Sequence, residues 1–312
     1  MLHDFLFPIT LLLILTFTST KARASEVVHV FILAGQSNMV GAGEVESNPS
    51  RNGGKGSLQW LTKNSSTKDS YSHLKTSTGA WVQRDDVFIW FLDRRGPLEP
   101  GYGSNQKKIG PELGFGWTVG DAFEEPVLLI KLAWGGKSLA EDFRPPNLEG
   151  ETGPYYTKII EYTKDVLKRA DILFPRFEGA TFMLSGFGWH QGWNDRINQS
   201  FNDAYEKNMI QFIKDVRRDL EKPDLPFVIA ETGMSGPEEK HPRALSLMAA
   251  QKAAADHPEF SRNVAFVPTQ DLYRPAEDSP SHQAYHWNNN AETYYLIGEH
   301  MGEAMLELLK SK

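Results

Sequence analysis

Val27-Val28-His29-Val30-Phe31-Ile32-Leu33-Ala34, followed at once by Gly35-Gln36-Ser37-Asn38-Met39, is the stretch whose reading decides the fold. Eight nearly continuous apolar residues read as a strand buried on both faces, the pattern of a parallel sheet covered by helices. A serine just past the carboxyl end of such a strand lies where open α/β sheets place their chemistry. Gly35 lets the chain turn sharply and lets a substrate approach the backbone. Asn38 brings an amide that can brace the turn. The same pentapeptide is also an ordinary strand-to-loop turn, so other groups must be found before Ser37 counts as a nucleophile.

Further along, apolar runs alternate with stretches of helical period. Strands are expected at Val87–Leu92, Val127–Trp134, Ala180–Phe187, Phe227–Ala230 and Val264–Val267. Helices are expected over Gly110–Phe123, Tyr155–Phe174, Phe201–Leu220, Arg243–Asp256 and Ala291–Leu309. This alternation predicts a three-layer, doubly wound parallel α/β sheet of flavodoxin-like type. Glu44–Arg84 and Asp93–Lys108 read as irregular insertions beside the sheet, the first with room for a small hairpin.

Residues 1–24 have the form of a secretory signal. Pro8–Phe17 is a short apolar core, and Ala22-Arg23-Ala24 is a cleavage site of A-x-A type, although Asp4 makes the leading region poor in positive charge. The apolar run is shorter than the ~20 residues of a membrane span, so a secreted or periplasmic protein without stable membrane insertion is expected. Residues 25–312 fit one domain, because α/β folds reach about 250 residues as single units. The chain has no cysteine, which excludes thiol catalysis and leaves the fold to its own core. A net charge of −7 argues against a nucleic-acid partner. Eight tryptophans offer flat apolar rings of the kind that sugar clefts use, alongside those that fill the core.

A serine becomes nucleophilic at neutral pH only with a base, and its oxyanion needs donors. Among nine histidines, His286 stands out because it directly precedes Trp287-Asn288-Asn289-Asn290-Ala291-Glu292. This run reads as a helix start with Asn289 as N-cap and Glu292 reaching back. Trp134-Gly135-Gly136-Lys137-Ser138 exposes backbone N–H groups after one strand. Trp189-His190-Gln191-Gly192-Trp193-Asn194-Asp195 concentrates polar side chains after another, and Asp195 could pair with a histidine or with Arg196. Gln36, Trp193 and Trp287 flank these groups and are the candidate substrate-binding side chains. His190, Asp195 and His286 are the one set that could converge on a metal. The chain has no His-Glu-x-x-His run, and no metal or cofactor is expected.

Taken together, the Gly-Gln-Ser-Asn-Met block, Gly135-Gly136, His190-Gln191-Gly192 with Asn194-Asp195, and His286 resemble the SGNH hydrolase superfamily. The nearest branch is the sialate O-acetylesterase-like group, which includes the acetyl xylan esterases of carbohydrate esterase family 6. The resemblance implies Ser37 as nucleophile and His286 as general base. It implies an oxyanion hole from the Ser37 N–H, the N–H of Gly136 or Gly135, and either Gln191 or Asn194. It implies an acetylated carbohydrate as substrate.

Two positions depart from the pattern. Gln283 stands where the superfamily usually has an aspartate three residues before the histidine, and Trp193 stands where the branch often has a glutamate. Asp195 is the candidate acid, with Asp271, Glu277 and Asp278 as others, and a Ser–His dyad held by Gln283 or a carbonyl is also chemically possible. Those departures keep a non-catalytic carbohydrate-binding protein on the same fold, or an esterase of non-sugar esters, as alternatives.

Overall fold

The computed structural model describes residues 26–311. The signal segment expected at 1–24 lies outside the described residues. Seven strands form one sheet: β1 Val27–Gly35, β2 Val87–Phe91, β3 Arg94–Pro97, β4 Val127–Ala133, β5 Thr181–His190, β6 Phe227–Ala230 and β7 Val264–Val267. Their spatial order is β3-β2-β4-β1-β5-β6-β7. All neighbours are parallel except the hairpin β2–β3. The expected doubly wound sheet is therefore present. β4 intervenes between β2 and β1, so the strands beside the first are β4 and β5. The chain passes from β1 to β2 and β3, returns to β4 beside β1, and then winds outward on the other side through β5, β6 and β7. This puts the topological switch, and the crevice it opens, at the carboxyl ends of β4, β1 and β5.

Alternate residues of the central strands feed two separate cores. Phe31, Leu33, Ile89 and Leu129 pack under helices α1 Glu112–Gly120 and α5 Ala291–Lys310. Val30, Ile32, Leu128 and Ile130 pack under α2 Pro154–Lys168, α3 Gln199–Asp219 and α4 Pro242–Ala255. Burial on both faces explains why these strands read as unbroken apolar runs.

Several boundaries differ from those the sequence predicts. β5 runs on to His190 and does not stop at Phe187, because its last residues pair with β1 up to Gly35. The helix expected to Phe174 breaks at Arg169, which leaves the helical region before a short turn, Ala170–Leu173. The stretch expected to be irregular after Asp93 holds strand β3. Two arginines, a glycine and a proline hide it from a hydrophobicity reading, yet these residues suit an edge strand. The insertion 44–84 carries short helical turns at Leu58–Leu61 and Lys68–Tyr71 and a one-bridge hairpin, Lys75 to Trp81. Asn290, not Asn289, caps α5 through its bond from Thr293 N at 3.2 Å. Glu292 turns instead to Arg274 Nε at 2.7 Å and Tyr71 Oη at 3.3 Å.

One charged residue lies inside the central sheet. Lys131 on β4 has no exposed surface. Its ammonium donates to Glu112 Oε2 at 2.6 Å, Tyr102 O at 2.7 Å and Val40 O at 2.8 Å. Burial holds it down to about 8, while the Glu112 carboxylate pulls the other way. Removing one member of such a pair leaves an uncompensated buried charge. Lys131→Met should therefore lower stability by about 3–5 kcal/mol in urea unfolding, and Lys131→Met/Glu112→Gln should recover part of the loss.

Candidate active site

Gly35 ends β1 pressed against the His190 carbonyl, so closely that a Cβ there would overlap its oxygen. The glycine serves strand packing and not, as its position suggests, substrate approach. Gln36 N then donates to the same carbonyl at 3.2 Å, and a single helical turn, Ser37–Val40, begins at once. Gln36 O accepts from Met39 N at 2.8 Å and Val40 N at 2.9 Å. As the first residue of the turn, Ser37 has no acceptor for its own N–H among the described residues. Its half-buried side chain likewise makes no hydrogen bond there.

The amide of Gln36 is the hub of the site. It is buried, and its Oε1 accepts from Gly192 N at 3.1 Å, Gln191 Nε2 at 3.2 Å and Asn194 N at 3.3 Å. Gln36 thus positions the loop after β5, and its Nε2 faces Asn194 Oδ1 at 3.5 Å. Gln191 is buried as well. Its Nε2 faces Asp195 Oδ2 at 2.5 Å, Lys137 O at 3.0 Å and Gln36 Oε1 at 3.2 Å, while its Oε1 accepts from Tyr205 Oη at 3.1 Å. Two N–H bonds already shared among three acceptors leave nothing for an oxyanion. Asn194 differs. Its Nδ2 donates to Gly136 O at 2.8 Å, and its second N–H has no partner among the described residues. Of the two amides that the sequence offers, the geometry favours Asn194.

Gly135 and Gly136 face open space, with no atom within 4 Å of where a Cβ would project. Neither N–H has an acceptor among the described residues. Gly136 has φ +68, a conformation cheap only for glycine. The bond from Asn194 ties this glycine to the loop that Gln36 holds, so the segments that carry Ser37, Gly136 and Asn194 are bonded to one another.

His286 reaches the same corner from α5. Asn38 Nδ2 donates to Tyr285 O at 3.1 Å, and Asn38 Oδ1 accepts from Tyr294 Oη at 2.8 Å. Asn38 therefore braces the histidine segment against the serine turn, not the turn alone. Ser37 and His286 are the chain neighbours of this hydrogen-bonded pair, but their side chains do not bond each other directly. Three residues after His286, namely Trp287, Asn288 and Asn289, take left-handed conformations with φ of 51, 54 and 60. Such backbone persists only where its surroundings over-determine it. Here Trp287 is fully buried, Asn288 Nδ2 donates to Arg274 O at 3.0 Å and Tyr273 Oη at 3.1 Å, and Ser281 Oγ bonds Asn289 Oδ1 at 2.8 Å.

Other placements differ from the expectation. Asp195 does not reach His286. Its oxygens accept from Leu139 N at 2.8 Å, Ala140 N at 2.9 Å and Gln191, so this carboxylate fixes the loop that carries Gly136. Burial pushes it up to about 6 against those three donors. Among the described residues no carboxylate pairs with His286. Asp278 pairs with Lys55 at 2.7 Å, and Asp271 and Glu277 are exposed. Gln283 acts through its carbonyl, which accepts from His286 N at 2.8 Å and Asn288 N at 3.0 Å. Burial, with Lys108 nearby, holds His286 below 6.5, so its imidazole is neutral at pH 7 and able to accept a proton. His190 is buried and pushed down to about 4, with Nδ1 3.4 Å from Ala230 O. Trp287, fully buried against His190, cannot touch a substrate. Trp193 remains half-buried, and its ring lies 5.8 Å from that of Tyr285.

A cleft of about 710 Å³ adjoins this corner on the β2–β4 side. Val40, Arg94, Asn105, Gln106, Trp134 and Gly135 are among its walls, while Ser37 and His286 are not. Its size is that of small-molecule sites, about 300–1,000 Å³. Asp195→Asn would set an amide N–H against a backbone N–H of Leu139 or Ala140. It should cost about 1–3 kcal/mol in urea unfolding, the price of an unmet buried donor.

Known proteins share this fold. A probable carbohydrate esterase of Arabidopsis thaliana is 24% identical over 204 residues, covering 64% of this chain and 67% of the relative. The structure of NanS aligns over 92% of this chain and 99% of its own, with a TM-score of 0.56 and 14% identity. A carbohydrate acetylesterase from Xanthomonas citri aligns over 91% of this chain and 57% of its own, with a TM-score of 0.54 and 13% identity. These likenesses establish the fold. A family model described as carbohydrate esterase, sialic acid-specific acetylesterase, matches residues 27–307, and the chain belongs to that family of carbohydrate esterases.

Proposed function

We propose that the protein is a secreted serine esterase that removes O-acetyl groups from carbohydrates, of the acetylated xylan or sialic acid type, through an acyl-enzyme. The observation that carries this reading is the chain of bonds from Gln36, the residue before Ser37, through Asn194 to Gly136, which links the loops that carry unbonded N–H groups to the serine turn. Secretion rests on the apolar core Pro8–Phe17 and on Ala22-Arg23-Ala24.

In this reading Ser37 Oγ attacks the acetyl carbonyl while neutral His286 takes its proton. The carbonyl oxygen becomes an oxyanion held by the N–H groups of Ser37 and Gly136 and by Asn194 Nδ2. The tetrahedral adduct collapses, the ester C–O bond breaks, and His286 returns the proton to the departing sugar oxygen. Water, activated by the same imidazole, then releases acetate. With no carboxylate paired to it among the described residues, His286 sits on a segment held through the main chain: by the Gln283 carbonyl, the Asn38 brace and the left-handed run that follows.

A second reading, a carbohydrate-binding protein without turnover, is favoured by one observation, the lack of a carboxylate partner for His286. Losing the acid of a full triad lowers turnover by about 10⁴. Acetate release from acetylated xylan and acetylated sialic acid separates the two readings. Turnover that Ser37→Ala abolishes supports the esterase, whereas equal inertness of both proteins with retained glycan binding supports the second.

Asn194→Ala should lower kcat by about 10²–10³, the usual loss of one oxyanion donor. The base must be neutral, so activity is present above the pKa of His286 and lost as pH falls through it. Because burial and Lys108 lower that pKa, the acid limb of kcat/KM should lie on the acid side of an ordinary imidazole's titration, and a pH–rate profile with no acid limb would count against His286 as base.

A further inference from the structure

We infer that Tyr285 is a specificity-determining residue that stacks on the sugar ring of the substrate, an inference that rests on the carbohydrate reading above. The argument begins with the path of the proton. His286 must deliver it to the sugar oxygen as the acyl group stays on Ser37, so the sugar ring lies on the histidine side of the serine. The group that flanks His286 there is Tyr285, whose ring centre is 4.6 Å from the imidazole.

Tyr285 is 43% exposed, and its hydroxyl has no hydrogen-bond partner among the described residues. A single exposed aromatic is ordinary on a protein surface. This one is set apart by its support. Its carbonyl is tied to Asn38, and within two residues the chain enters the fully buried Trp287. Its ring therefore projects from fixed backbone and not from a loose loop tip. Behind it stands Trp193, with ring centres 5.8 Å apart and planes tilted by 40°. The Arg196 guanidinium lies 4.6 Å from the Trp193 ring and is itself held by Glu239 at 3.3 Å.

Trp193, Tyr285 and the His286 imidazole thus form a row of neighbouring rings that ends at the general base. One face of a pyranose presents mainly C–H bonds. These pack on the electron-rich face of an aromatic ring, while hydroxyls at the rim can bond a free phenol. An alkyl acetate without a sugar has no such face. Tyr285 thus distinguishes sugar esters from simple ones by contact with the leaving group. The hydroxyl contributes less than the ring, so phenylalanine should serve nearly as well.

The test compares Tyr285→Ala and Tyr285→Phe with the wild type on partially acetylated xylo-oligosaccharide and on vinyl acetate, with acetate release followed by pH-stat. For the alanine variant, KM for the oligosaccharide should rise about tenfold while its kcat is largely kept, and the preference for oligosaccharide over vinyl acetate should fall by the same factor. The phenylalanine variant should keep the wild-type preference. An unchanged preference in Tyr285→Ala, or an equal fall in kcat on both substrates, would overturn the inference by making Tyr285 inert or merely a support for His286. Calorimetric binding of the same oligosaccharide to Ser37→Ala and to Ser37→Ala/Tyr285→Ala keeps the question separate from hydrolysis. Weaker binding by the double variant supports the stacking role even if the wild type releases no acetate, and equal binding, or none by either, overturns it.

Discussion

A single ammonium group that water cannot reach constrains this site from below. Lys131 lies in the middle of the sheet, and each of its protons must find an oxygen there. The three it finds come from separate parts of the chain: Val40 at the end of the serine turn, Tyr102 in the loop beside the cleft, and Glu112 at the start of α1. The other oxygen of Glu112 accepts from Gly110 N at 2.8 Å, so the segment leading into α1 is drawn in as well. Shifting any one of these segments would leave a buried charge short of an acceptor. The serine turn is therefore anchored by electrostatics under its floor as well as by the geometry of its own four residues.

Above that floor the polar side chains divide into those whose hydrogen bonds are spent and those with one left. Gln36 Oε1, Gln191 and Asp195 are engaged with one another's side chains or with backbone N–H groups. Their work is to hold the loops that carry Gly136 and Asn194. Ser37 N, Gly135 N, Gly136 N and one N–H of Asn194 are among the donors left without an acceptor among the described residues, and they belong to the segments so held. Hydrogen-bond counting, more than residue type, separates support from chemistry here.

The same counting explains what was legible in the sequence. The strand before Ser37, the glycine pair, the 190–195 block and His286 all follow apolar runs or precede a helix, and local pattern reveals them. The choice between Gln191 and Asn194 was open because it depends on Lys137, Gln36 and Tyr205, which lie far away along the chain. Asp195 looked like an acid for His286 by composition alone, yet its partners are the N–H groups of Leu139 and Ala140. Gln36 and Trp287 were placed near the substrate because they adjoin the key residues, but strand and loop geometry turns both inward. β3 escaped notice because an edge strand carries charge and proline where a central one cannot. Lys131 did leave a signal, as a lone charge in the apolar run Val127–Trp134, although nothing nearby names Glu112 as its partner. The departure at Gln283 was visible from the start, and the structure places no carboxylate behind His286 among the described residues.

The left-handed run after His286 also bears on which sequences this segment tolerates. Asparagine accepts that conformation better than any residue except glycine, so two of the three positions are filled with little strain. The third is tryptophan, a bulky residue ill suited to it, which remains there because the core encloses the whole ring. Variation at 288 and 289 is thus confined mainly to glycine, asparagine and aspartate, and a β-branched residue at either would unwind the approach to α5. Position 287 is limited in another way. A smaller side chain would relieve the backbone less than it would empty the core, so substitution there should cost stability and loosen the histidine segment together.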